Sequence, residues 1–88
     1  VSTTTTVRVC VRFFAAARAA AGAQEESLEL AAGTTVAGLA EILSARGPEL
    51  ARVLSRCSYL CDGVAVRDHT VALQNAQTVD VLPPFAGG

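Results

Sequence analysis

Val7, Val9, Val11 and Phe13 alternate with Arg8, Cys10 and Arg12. This period-two pattern of β-branched and aromatic residues predicts a half-buried strand. Phe14 breaks the alternation. The alanine-rich run Ala15 to Ala21, which carries Arg18, predicts a short helix stopped by Gly22. Alternation resumes at Ser27-Leu28-Glu29-Leu30, a second strand. After the turn at Ala32-Gly33, Thr34 or Thr35 is placed to cap a helix by accepting from an orphan backbone N–H. Val36, Leu39, Ala40 and Leu43 follow the i, i+3, i+4, i+7 spacing of one apolar helix face, with Arg46 expected in the last turn and Gly47-Pro48 ending it. Leu50, Val53 and Leu54 form the stripe of a further helix over 48–56.

Ser58 to Asp62 reads as a strand and Asp62-Gly63 as a tight turn into a short strand over 64–66. Residues 67–70 read as loop and 73–77 as another turn. Thr78-Val79-Asp80-Val81-Leu82 is the last strand, with Asp80 expected on a solvent or partner face. Pro83-Pro84 stops that strand, because proline lacks an N–H donor and favours extended geometry. The order β, β, α, β, β, β around one main helix predicts an α+β fold, a mixed sheet wrapped over that helix. The first and last strands are the most apolar and are expected side by side at the sheet's centre. The chain thus divides into a polar fringe (1–6), one domain (7–82) and an extended tail (83–88).

At 88 residues with 51% hydrophobic composition, the chain is one small globular domain with a modest core. Its net charge of −1 gives no electrostatic case for nucleic acid or an anionic membrane. All seven basic residues are arginine, so lysine-based nucleophilic chemistry is excluded. Cys10, Cys57 and Cys61 are an odd set with one C-x3-C spacing, which makes neither a disulfide framework nor, with His69 the sole histidine, a four-ligand zinc site. They read as small buried hydrophobes of a reducing compartment. With no signal-peptide pattern and no long apolar run, the expected location is cytoplasmic. His69 and Asp68 read as a solvated loop pair, and Arg8 and Arg12 as a solvated strand face or as contacts for the acidic surface of a partner.

Three motifs carry more. Phe13-Phe14-Ala15-Ala16-Ala17-Arg18 follows the first strand. Thr34-Thr35-Val36 opens the helix bearing Leu39 and Leu43. Val81-Leu82-Pro83-Pro84-Phe85-Ala86-Gly87-Gly88 closes the chain. Over residues 7–88 this set resembles the ubiquitin-like β-grasp sulfur carriers, and most closely the small subunits of molybdopterin synthase, with their F-F-A-x-x-R segment and P-P-x-x-G-G ending. There are departures. The turn before the last strand, commonly Asp-Gly-Asp-like in that family, is Asn75-Ala76-Gln77, and Cys61-Asp62 stands where Val-Asn is frequent.

The resemblance implies a chemistry. An E1-like adenylating enzyme would use ATP to activate the Gly88 carboxylate, and sulfur would displace AMP to leave a thiocarboxylate. This would be donated to precursor Z (cyclic pyranopterin monophosphate) within the large synthase subunit, for molybdenum cofactor biosynthesis. Gly88 and Gly87 lack a Cβ, which opens the reacting carbon to attack and frees the backbone. Ala86 keeps the tail slender and Phe85 would anchor it at a channel mouth. Phe14, Arg18 and Leu82 are the candidate partner contacts. No general acid or base stands out, so the chain would carry the reacting group and a partner would catalyse, with no cofactor or metal held stably. Other sulfur carriers, for thiamine or cysteine biosynthesis, share this tail chemistry, as do ubiquitin-like protein modifiers.

Overall fold

The computed structural model describes residues 5–84. Strand β1 (Thr6–Phe13) buries Val9, Val11 and Phe13 and turns Arg8, Cys10 and Arg12 to the other side, as its alternation predicts. The strand takes in Thr6, and the Thr5 carbonyl accepts from the Ala32 N–H at 3.0 Å, so the expected polar fringe is shorter by these two residues. Helix α1 (Ala15–Ala21) ends at Gly22, whose φ of 76° supplies the left-handed cap. Strand β2 (Glu25–Ala31) pairs antiparallel with β1 from Arg12↔Glu25 to Thr6↔Ala31.

Helix α2 (Val36–Ser44) starts at Thr35, whose hydroxyl accepts from the Gly38 N–H at 3.0 Å. Two more of its first N–H groups, on Val36 and Ala37, reach the carbonyls of Val71 and His69. The loop before the last strand therefore satisfies donors that a helix start leaves without partners. Arg46 lies beyond the last turn of α2 and bonds Glu26 of β2 at 2.5 Å instead, because the helix stops at Ser44. Helix α3 (Pro48–Leu54) opens with proline, whose missing N–H costs nothing there.

Strand β3 (Ser58–Cys61) turns through Asp62 and Gly63 into β4 (Val64–Ala65). Both turn residues have positive φ (49° and 83°), the requirement of a type I′ hairpin. Val66 falls outside β4, although its N–H still donates to the Tyr59 carbonyl. Strand β5 (Thr78–Leu82) completes a five-stranded sheet of order β2-β1-β5-β3-β4. The central pair β1 and β5 is parallel, and its neighbours are antiparallel. This is the mixed sheet expected, with the first and last strands at its centre.

One face of the sheet meets the helices. Val36, Leu39 and Leu43 of α2, Leu50 and Leu54 of α3, and Ala17 of α1 pack with Val11, Phe13, Val79, Val81 and Tyr59 in a single core. Leu73, expected as part of a turn, is 2% exposed and belongs to that core. No helix among the described residues is long and apolar enough to cross a membrane.

Candidate functional site

Among the described residues, the opposite face of the sheet carries no helix. Across it runs one row of register partners: Glu25 on β2, Arg12 on β1, Asp80 on β5, Leu60 on β3 and Ala65 on β4. The pair at its centre corrects the expectation for both residues. Asp80 does belong to the open face, but it is only 6% exposed, since the Arg12 side chain lies over it. Arg12 Nε donates to Asp80 Oδ1 at 2.6 Å and Nη2 to Oδ2 at 2.8 Å, a two-pronged ion pair. The adjacent carboxylate pushes the Arg12 guanidinium's pKa up, so it is a permanent cation here. Arg8, by contrast, meets Glu29 with both side chains largely in water.

Phe14 continues the extended backbone of β1 for one residue, with φ −120° and ψ 149°, and serves as the N-cap of α1. It is 38% exposed, and the Arg12 guanidinium lies over its ring, 5.7 Å from the centroid. The last register pair of the parallel ladder, Phe13↔Val81, puts Leu82 next to Phe14, and the Phe14 N–H donates to the Val81 carbonyl. Leu82 is half-buried. Arg18, one helical turn on, is exposed and lines a shallow cleft with Arg12, Phe14, Gln24 and Glu25. The three candidate partner contacts thus share the edge of the sheet at which the chain leaves it. Pro83 and Pro84 line a neighbouring depression with Ala16 and Val53, flanked by Arg52 and Arg56. Phe85, Ala86, Gly87 and Gly88 lie outside the described residues.

Other sequence candidates fall away from this edge. His69 presents its ring edge-on to Tyr59, at 5.6 Å between centroids. Asp68 accepts from the Thr70 N–H and hydroxyl, not from His69, and those bonds hold its carboxyl below the usual range. The cysteines are half-buried rather than fully buried. Cys57 donates to the Val53 carbonyl, and Cys10 on the open face to Glu25, a bond that raises its pKa. Burial pushes the thiols of Cys57 and Cys61 up as well, which disfavours the reactive thiolate. Among the described residues no three His, Cys, Asp or Glu side chains converge as a metal site would need.

The Arg12–Asp80 pair was missed by reading each strand alone. Its signal was present: with the first and last strands adjacent, opposite charges two residues before Phe14 and two before Leu82 fall into register.

Known proteins share this architecture. The Haloferax volcanii HVO 2177 protein superposes with a TM-score of 0.82 at 29% identity, over 94% of this chain and 88% of that one. Subunit 1 in the protein–protein complex of subunits 1 and 2 of molybdopterin-converting factor from Helicobacter pylori shares the fold, with a TM-score of 0.65 at 24% identity, over 93% and 100% of the chains. In sequence, the molybdopterin synthase sulfur carrier subunit of Chlamydomonas reinhardtii is 30% identical over 83 residues, 93% of this chain and the whole of that protein. The ThiS family matches residues 11–88, from the middle of β1 through the Gly-Gly pair. The chain belongs to the ThiS family of ubiquitin-like sulfur carriers.

Proposed function

We propose that this chain is the sulfur-carrying small subunit of a molybdopterin synthase, with the sulfur held as a thiocarboxylate on Gly88. The observation that carries the reading is the match to the Chlamydomonas carrier along that protein's whole length. The edge geometry supports it. The chain leaves the central strand through two prolines, beside an exposed Phe14 and a half-buried Leu82. A partner that grips this edge receives the tail beyond it. The Helicobacter structure contains subunits 1 and 2 of its converting factor together, and the corresponding larger subunit is the partner proposed here.

The chemistry divides between chains. A carboxylate is a poor electrophile, so an E1-like enzyme joins Gly88 to AMP from ATP and releases pyrophosphate. A sulfide-level sulfur nucleophile then attacks the acyl carbon, the C–O bond to AMP breaks, and the C-terminal thiocarboxylate remains. In the larger subunit that sulfur attacks precursor Z to form a thioester, and water cleaves its acyl C–S bond, which leaves the sulfur on the pterin and returns Gly88 to a carboxylate. Phe85, Ala86 and Gly87 supply a narrow lead to the reacting carbon, while Phe14, Arg18 and Leu82 hold the body of the carrier in place. Catalytic acids and bases belong to the partners.

Intact mass tests the first half. After incubation with the activating enzyme, ATP and a sulfur donor, the chain should gain about 16 Da, the exchange of one oxygen for sulfur. Deletion of Gly88 should abolish the gain without changing the melting temperature. No gain in the wild-type chain, or full sulfur transfer by the truncated one, refutes the proposal. Purification of the loaded chain with a thiamine-pathway acceptor in place of the larger synthase subunit would move it to a sibling pathway. Covalent linkage to unrelated proteins would make it a modifier.

A further inference from the structure

We propose that Arg12 is a positioning residue for partner docking: locked by Asp80 and lying over Phe14, it presets the Phe14 ring beside Leu82 before the partner arrives. The proposal rests on the reading above, that the larger synthase subunit grips the edge from which the tail leaves.

An exposed phenylalanine at the end of a strand ordinarily samples several rotamers, and binding must then remove that freedom. Here three observations remove it in advance. Asp80 is almost wholly buried and satisfied by both prongs of Arg12, so the guanidinium plane has one orientation. The guanidinium carbon lies over the Phe14 ring, 5.7 Å from its centroid, within the range of a cation–π contact. The Phe14 backbone is itself tied to Val81 by its N–H. Ring and backbone are thereby held from both central strands, of which β5 leads into the tail.

The placement of the charges fits a docking role better than a role in folding. A buried ion pair is weak support for stability, because desolvation offsets much of its attraction. What the pair supplies that apolar residues would not is a cation fixed over the aromatic ring. Its own charge is neutralised by Asp80, so the partner meets a set aromatic anchor rather than a bare arginine.

A double-mutant cycle tests this with the full chain and the cognate larger subunit, by calorimetric titration. Arg12→Gln keeps a hydrogen-bond donor for Asp80 and removes the cation. Phe14→Leu keeps an apolar side chain and removes the ring face. Arg12→Gln should weaken binding about two- to fivefold when Phe14 is present, the scale of an exposed cation–π contact, and barely at all beside Leu at position 14. Equal loss in both backgrounds, or no loss in either, overturns the proposal. If Arg12→Gln lowers the melting temperature, Arg12→Lys replaces it, retaining the charge for Asp80 but losing the planar group over the ring. Failure of the wild-type chain to bind the larger subunit refutes the partner reading and this inference with it. Binding with additive losses refutes the inference alone.

Discussion

The two faces of the central strands solve opposite problems. On the helix side, Val9, Val11, Phe13, Val79 and Val81 are sealed by α2 and α3 at 1% exposure or less. On the other side, the same strands turn Arg8, Cys10 and Arg12 outward and leave Phe14 and Leu82 at the rim. The sealed face is held by the hydrophobic effect, which is indifferent to orientation. The open face is held by directed contacts, and the Phe14 ring at its rim is pinned rather than buried. The difference separates what keeps this molecule folded from what it offers to others.

Helix caps repeat the contrast. Thr35 caps α2 with its hydroxyl, in the arrangement that stability favours. Phe14 occupies the same position on α1 and makes no side-chain cap. The chain forgoes a capping side chain at the edge where it leaves the sheet and keeps an exposed aromatic there. Val9→Asp and Phe14→Asp should therefore part most widely of all substitutions. The first buries an unpaired charge in the core and should unfold the domain, a loss of more than about 4 kcal/mol. The second places a favoured capping residue at an exposed site beside Arg12. It should hold or raise stability by up to about 1 kcal/mol while abolishing capture by the larger subunit. Denaturant melts and a binding titration on both variants read this out, and unfolding of Phe14→Asp would erase the distinction between the faces.

Most of the sealed face was legible in the sequence, because burial follows period: two in β1 and β5, three and four in α2. The adjacency of β1 and β5 at the sheet's centre followed from their being the most apolar strands; that they pair in parallel did not. What escaped was what depends on register. Asp80 reads as an outward polar residue on its own strand, and only the neighbouring Arg12 explains why it is buried. Leu73 was hidden for a related reason. It sits in a segment without period and is drawn into the core because its N–H pairs with the Thr34 carbonyl before α2. At the docking edge, Phe14, Arg18 and Leu82 were picked out by a family motif and by their break from alternation, and the structure brings these three together.

The sealed face also carries the main alkaline liability. Burial pushes the Tyr59 phenol up to about 12, helped by the Cys57 thiolate at high pH. The folded chain thus holds this proton where an unfolded chain, with its tyrosine near 10, has released it. The stabilisation is complete below pH 10 and is lost as pH rises from 10 through 12. It amounts to at most about 3 kcal/mol, about two pH units at roughly 1.4 kcal/mol each. Cys57 and Cys61, also raised, add to the loss from the ordinary thiol range upward. Unfolding free energies measured from pH 8 to 12 should fall steeply for the wild-type chain and less steeply for Tyr59→Phe. A parallel fall in both would remove Tyr59 from the account.

The smallest effect comes from the end of the sheet far from the tail. Ala76 has a φ of 67°, a left-handed value that a Cβ disfavours, and its N–H donates to the Arg8 carbonyl at 2.8 Å. Ala76 thus takes a glycine-like backbone in the turn whose sequence departs from the Asp-Gly-Asp-like pattern of the resemblance. Ala76→Gly removes the clash but adds freedom to the unfolded chain. The balance should be a gain of up to about 1 kcal/mol, with no change in affinity for the larger subunit. Ala15 has a similar φ of 50° but begins α1 directly after Phe14. There, glycine's poor helix propensity cancels the relief, and Ala15→Gly should leave the melting temperature nearly unchanged while loosening the backbone that presents Phe14. Measured side by side, the two substitutions should separate cleanly, one moving only stability and the other only binding. Equal effects of both on both quantities would mean that fold and docking edge are not independent after all.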